Sequence, residues 1–210
     1  MYPKYIKRWL DIILSFLALA LLSPLLLLIA LLIKLDSKGP VFFQQKRVGR
    51  GKSYFMIYKF RTMRTDAPHD VPTNDLRGSK TYITRVGRVL RKTSLDELPQ
   101  LLNILKGEMS LIGPRPALWN QFDLIQLRDK YGANDVLPGL SGWAQVNGRD
   151  YLSRDLEKKA RRDGEYAQHI SFRFDMKCFL LTIVKVINRQ GIVEGRDTKT
   201  YPVNESEERS

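Results

Sequence analysis

"IILSFLALALLSPLLLLIALLI", Ile12 to Ile33, is the stretch whose reading decides the architecture. It carries no charge and is long enough for a membrane helix. A core helix of a globular protein keeps a polar face over such a length. A secretory signal has a shorter apolar run and a small-residue cleavage site after it, and neither holds here. Ser23-Pro24 stands in the middle. Proline has no N–H for the carbonyl of Ala20, and its ring crowds the preceding turn, so a kink is expected. Lys4, Lys7 and Arg8 precede the run, and Lys34, Lys38, Lys46, Arg47, Arg50 and Lys52 follow it. Positive flanks mark the cytoplasmic side of a membrane segment. A straight span satisfies one flank and violates the other, whereas a helix that enters, bends at Ser23-Pro24 and returns satisfies both. Each half has roughly eleven residues, about 16 Å at the helical rise, too short to cross the hydrocarbon core. The sequence therefore predicts a re-entrant anchor over residues 1–38.

Beyond the anchor the pattern predicts an α+β, mostly helical domain over 39–194, followed by a loose tail over 195–210. "PVFFQQKRV" and "KSYFMIYKF" are rich in Val, Phe and Tyr and read as two strands, with "GRG" as the hairpin turn between them. Residues 66–80, with two prolines and a glycine, read as a loop. A helix is expected from Ser94 to Lys106, stopped by Gly107. "GPRP" at 113–116 is stiff and extended, and "LPGLSGWAQVNGR" at 137–149 is a Gly-rich loop. Residues 153–169 read as a charged helix. Residues 172–190 read as an amphipathic one, with apolar residues at 172, 176, 179, 180, 183, 184 and 187. Such a helix packs on a core or lies on a membrane surface.

Composition narrows the chemistry. The 210 residues include 35 Lys+Arg against 22 Asp+Glu, a formal charge of +13, which favours anionic partners: nucleic acid, anionic lipid or phosphorylated small molecules. Cys178 is the single cysteine, so no internal disulfide forms, and His69 and His169 have no zinc-ligand spacing. P-loop and dinucleotide-binding fingerprints are absent, and so is D-x-D.

"SLDELPQ", residues 94–100, holds the adjacent acids Asp96 and Glu97. Ser94 and Glu97 have capping-box spacing, so a merely structural reading is open: Glu97 folds back to the cap nitrogen and leaves Asp96 free. With Thr93 as the cap instead, that argument fails. The chemical reading is a carboxylate nucleophile, which stays ionised beside cations and a helix N-terminus. Arg85, Arg88, Arg91 and Lys92 lie just upstream, and Lys59, Arg61, Arg115 and Arg149 are candidate phosphate contacts set in strands or Gly/Pro loops.

"YKFRTM", "RKTSLDELPQLLNILKGEMSLIGPRP" and "PGLSGWAQVNGR", in that order after a Ser-Pro-interrupted apolar segment, resemble the bacterial sugar transferase family. These are small monotopic phosphoglycosyl transferases that start polyprenol-linked glycan assembly. The resemblance runs from about Lys4 to Gly191. It implies that Asp96 attacks the β-phosphate of a UDP-sugar, releases UMP and carries a covalent phosphosugar to undecaprenyl phosphate. It places Glu97 and Arg91 beside the nucleophile. It implies substrate contacts from Lys59, Arg61, Arg88, Arg115, Pro116, Gln145, Asn147 and Arg149, with Mg²⁺, or Mn²⁺, held at Asp96 and Glu97. Ser23 and Pro24 match the membrane break. The implied setting is the bacterial cytoplasmic membrane, with anionic lipid around the anchor, the catalytic domain facing the cytoplasm, no nucleic acid, and a homo-oligomer compatible with the pattern. Two other readings stay open from the residues themselves: a basic membrane-anchored adaptor, and a direct glycosyltransferase that releases UDP. No residue here decides the sugar.

Overall fold

The computed structural model describes residues 2–68, 79–148 and 155–188. Helix α1, Lys7–Asp36, follows a π-helical turn over Tyr2–Ile6. It runs unbroken through Pro24, where the Ser23 hydroxyl donates to the Ala20 carbonyl at 2.8 Å. That is the carbonyl proline leaves without a partner, so the pair repairs its own defect. The helix is thus one secondary-structure element, where the sequence led us to expect two halves.

Both ends of α1 are fastened to the rest of the chain. At the start, Arg8 donates to the Ile104 carbonyl at 2.7 Å, and Asp11 accepts from the Ser110 hydroxyl and the Leu111 amide. The Lys7 ammonium pairs with Asp175 at 2.6 Å. At the finish, Asp36 accepts from the Val86 amide, and Ile29 and Ile33 pack with Phe60 and Leu90. Between these ends Phe16, Leu17, Leu21, Pro24, Leu25, Leu27 and Leu28 stay exposed. The helix is long and apolar enough to cross a membrane.

The expected hairpin forms. β1, Phe42–Val48, pairs antiparallel with β2, Tyr54–Phe60, and Gly51 sits in the turn at φ 63°. Phe55 and Ile57 of β2 join Leu101, Ile104 and Met109 in one buried cluster, with Ala18 and Leu19 of α1 packed against it. α2 is a single turn, Ser79–Tyr82, and α3 spans Arg85–Thr93. A Cβ on Gly87 of α3 would lie 2.1 Å from the Thr62 carbonyl oxygen, so only glycine lets α3 meet the strand end. α4, Gln100–Lys106, is shorter than expected, and Gly107 stops it at φ 88° as the sequence predicted.

β3, Ser110–Ile112, pairs in parallel with β4, Gly139–Ser141, a link that three-residue strands do not announce by periodicity. Between them lies α5, Phe122–Lys130. α6 is one turn, Trp143–Val146, and α7 is Leu156–Gln168, capped by the Asp155 side chain on the Lys158 amide. α8, Phe172–Ile187, is capped by Ser171. All seven of its expected apolar positions are exposed, while Asp175 and Cys178 face inward. That face is therefore not a core face. Residues 69–78 of the expected loop, Arg149 and the tail lie outside the described residues.

Candidate functional site

The dyad does not sit in the first turn of a long helix. Ser94 ends α3 in the left-handed region at φ 58°, and Leu95–Glu97 form one 3-10 turn. Pro99 has no N–H to offer the Leu95 carbonyl, so the α-helical ladder cannot pass, and α4 starts only at Gln100. Asp96 and Glu97 therefore occupy a joint between two helices. The capping box does not form: the Ser94 side chain makes no cap bond, and the Glu97 carboxylate turns elsewhere.

Glu97 is buried, 9 % exposed. Its Oε1 accepts from Lys59 Nζ at 3.0 Å and Arg115 Nη2 at 2.7 Å, and its Oε2 accepts from Arg115 Nη1 at 3.2 Å. The Arg115 contact is a two-pronged, charge-assisted pair with fixed geometry. Glu97 raises the pKa of Arg115 above its ordinary value. Lys59 moves the other way: burial pushes its ammonium down, and Glu97 opposes this only in part. The compact ammonium is the more strongly hydrated cation and suffers more from losing water. The Asp96 charge acts on both Lys59 and Arg115, so the second carboxylate shares their field.

Lys59 reaches the site from β2 because Phe43, Gln45 and Arg47 of β1 share its face in the hairpin register. Arg115 reaches it from the 113–116 loop, which the parallel pair holds. The Gly113 amide bonds the Ser141 carbonyl at 2.8 Å, and the Gly139 amide bonds the Pro114 carbonyl at 2.9 Å. A Cβ on Gly142 would lie 2.0 Å from the Gly113 carbonyl oxygen, a close approach that excludes any side chain. Two more arginines brace the loop. Arg47 Nη1 donates to the Pro116 carbonyl at 3.1 Å, and Arg128 Nη2 donates to the Arg115 carbonyl at 2.9 Å. Arg128 is itself held by Asp163, with Nε to Oδ2 at 2.9 Å.

Of the residues singled out in the sequence, Asp96, Glu97, Lys59 and Arg115 come together, and Pro116 lends its buried carbonyl to Arg47. Arg91 lies partly buried in the last turn of α3, and Arg88 is exposed on the same helix. Arg61 lies apart from this group: its guanidinium donates to the Ser37 carbonyl at 2.7 Å, the Ser37 hydroxyl at 3.0 Å and the Lys38 carbonyl, so it closes the C-terminal end of α1. The orphan carbonyls at a helix end attract such a cation. Gln145 donates to the Leu140 carbonyl and Asn147 to the Trp143 carbonyl, bonds that stay within their own segment. Arg47 and Arg128 were missed as site residues. For Arg47 the available signal was strand alternation, which puts it on the face of Lys59 once the turn at Gly51 is set.

The bacterial sugar transferase family profile matches residues 2–189. The chain is 42% identical over 189 residues to an undecaprenyl-phosphate glucose phosphotransferase of Komagataeibacter xylinus, covering 86% of this chain and 36% of the relative. It is 39% identical to the "Uncharacterized sugar transferase EpsL" of Bacillus subtilis, covering 89% of this chain and 90% of that one. It is also 42% identical to a UDP-N-acetylgalactosamine-undecaprenyl-phosphate N-acetylgalactosaminephosphotransferase of Aeromonas hydrophila, covering 89% of this chain and 45% of the relative. The chain thus spans less than half the length of the first and third of these relatives.

Proposed function

The chain belongs to the bacterial sugar transferase family, and we propose that it moves a sugar 1-phosphate from a UDP-sugar to undecaprenyl phosphate, releasing UMP. The observation that carries this reading is the acid dyad set among Lys59 and Arg115 in a domain fastened to both ends of an exposed apolar helix. An anionic soluble donor and an anionic lipid acceptor need such a site. The names of the relatives support the same transfer.

In the proposed mechanism a carboxylate oxygen of Asp96 attacks the β-phosphorus of the donor. A P–O bond forms as the bridging P–O bond breaks, and UMP leaves with the electron pair. A phosphate oxygen of the lipid acceptor then attacks the same phosphorus and frees the carboxylate. Lys59 and Arg115 offset charge on the phosphoryl oxygens, and Glu97 positions both cations. Among the described residues no cluster of three or more His, Cys, Asp or Glu gathers as a metal cage. Mg²⁺ does not ask for one: it commonly binds through one or two carboxylates together with substrate phosphate and water. The dyad fits that pattern. Asp96 and Glu97 would hold the ion, which would supply further neutralisation of the diphosphate.

We place the protein at the cytoplasmic membrane with a re-entrant α1. Two observations support this. Arg8 and Asp36, near opposite ends of a helix about 45 Å long, both bond the same folded domain. A crossing helix would put those ends on opposite sides of the bilayer. α8 is tied to the N-terminal end of the apolar helix through Tyr2–Phe172 and Lys7–Asp175 and keeps its apolar face exposed, which suits a helix lying at the interface. In a Cys178→Ala background, cysteines at positions 3 and 38 are expected to label only from the cytoplasm. Periplasmic labelling of either one rules out the re-entrant arrangement.

The activity is tested by screening UDP-sugars with undecaprenyl phosphate. The expected product is UMP, lost on chelation and restored by Mg²⁺ or Mn²⁺. UDP as the product would make the protein a direct glycosyltransferase, and full turnover in excess chelator would remove the metal.

A further inference from the structure

The first buried positions of α1 are all polar. Lys7, Asp11 and Ser15 recur every fourth residue, so they share one face of an otherwise apolar helix. Ionisable groups on a membrane-class helix are costly and rare, and those that are kept meet partners inside the protein. Here the partners converge on β3. Asp11 Oδ2 accepts from the Ser110 hydroxyl at 2.7 Å, and its Oδ1 accepts from the Leu111 amide at 3.0 Å. Lys7 reaches the next residue through a relay. Its ammonium donates to Asp175 Oδ2 on α8 at 2.6 Å, where the Tyr2 hydroxyl donates as well. The Tyr166 hydroxyl of α7 shares its proton between Asp175 Oδ1, at 2.6 Å, and the Ile112 carbonyl, at 3.0 Å. Ser110, Leu111 and Ile112, the whole of β3, are thus gripped from the start of α1.

β3 runs straight into the loop that carries Arg115. Pro114 and Pro116 have fixed φ, so a displacement of Ile112 is passed along the loop more than it is absorbed. The loop's other braces are the Gly139 amide on the Pro114 carbonyl, Arg128 on that of Arg115 and Arg47 on that of Pro116. None of these donors comes from α1. Lys7, Asp11, Ser110, Tyr166 and Asp175 are all buried, so water does not replace a bond lost among them.

We propose that Lys7, Asp11, Asp175 and Tyr166 are positioning residues for the transfer: through β3 they fix the 113–116 loop, and with it Arg115, to the seat of the apolar helix. This rests on the function proposed above and gives the buried polar face of α1 a part in it.

The test combines hydrogen exchange with kinetics on the full-length protein in mild detergent. Tyr166→Phe deletes one hydroxyl and keeps the ring that packs on Phe174. Asp11→Asn leaves one amide oxygen for two donors. In each variant exchange over residues 110–115 is expected to quicken roughly 10-fold or more, with the β1–β2 hairpin unchanged. UMP release is expected to fall roughly 10- to 100-fold, the range for a misplaced group. The loss should lie in kcat rather than in the donor KM, because Arg115 acts on charge that develops during transfer. In an Arg115→Met background Tyr166→Phe should cost less than about twofold, since the group it positions is gone. A bond that only stabilised the fold would cost the same in both backgrounds. Tyr131→Phe removes an exposed hydroxyl from Glu157 and should change neither readout by more than about twofold. Full additivity with Arg115→Met, or unaltered exchange over 110–115 in folded variants, overturns the proposal. If neither variant folds, the unmutated protein decides. The Leu111 amide, bonded to Asp11, should then exchange together with the amides of residues 12–15, and exchange more than about tenfold faster than theirs overturns the grip. The two readings fail separately. Quickened exchange in the variants, without UMP release from any UDP-sugar, keeps the grip on the loop and sinks the activity. UMP release with unaltered exchange in the variants does the reverse.

Discussion

Asp96→Asn is expected to abolish both turnover and the covalent adduct, a loss of roughly 10⁴-fold or more, because an amide is a far weaker nucleophile than a carboxylate. The structure separates the two acids by what they touch. Glu97 is clasped by Lys59 and Arg115, and its freedom to attack phosphorus is small. Asp96, the more exposed neighbour, feels the same cations and is the better candidate. Incubating the protein with UDP-sugar and no lipid should trap a phosphosugar, which peptide mass spectrometry should place on Asp96. With both substrates the kinetics should be ping-pong. Glu97→Gln removes the charge that holds two cations, so turnover should slow while the adduct stays on Asp96. An adduct on Glu97, or robust turnover by Asp96→Asn, overturns the assignment.

Asp163→Asn should cost about 3–5 kcal/mol of stability, the usual result of removing one partner from a buried ion pair. The side chains of Arg128 and Asp163 are 4% and 2% exposed, so the stranded guanidinium has no water to turn to. The same arginine donates to the Arg115 carbonyl, which ties the loss to the site: the loop that aims Arg115 should loosen too. Thermal or denaturant unfolding in mild detergent measures the first effect. Asp129→Asn is the control, since the Lys52–Asp129 pair is half exposed and should contribute less than about 1 kcal/mol. Equal losses in the two variants would mean that Asp163 is not a buried brace.

Much of the scaffold was legible because its signals are local. The hairpin follows from two Val/Phe/Tyr-rich runs around a Gly turn, and α4 stops where Gly107 adopts the left-handed conformation. The exposed apolar stripe of α8 repeats at helical spacing. Local signals also misled. S-x-x-E at 94–97 has the spacing of a capping box, but Pro99 interrupts the ladder and Glu97 finds stronger partners in two cations than in one backbone amide. Arg61 stands in "YKFRTM" two residues after Lys59, yet the two meet different partners: Lys59 bonds Glu97, while Arg61, just past the strand, bonds the end of α1.

By itself the sequence determined the membrane-class helix, the β1–β2 hairpin, the helices α7 and α8, and the family, since each rests on residue type at fixed short spacing. Only the tertiary structure decided who pairs with whom. Glu97 meets Lys59 across 38 positions and Arg115 across 18, and Lys7 meets Asp175 across 168. Those pairings depend on how the hairpin, the parallel β3–β4 link and α1 pack around one buried cluster. Such packing is a sum of apolar contacts over the whole chain, which no short motif encodes.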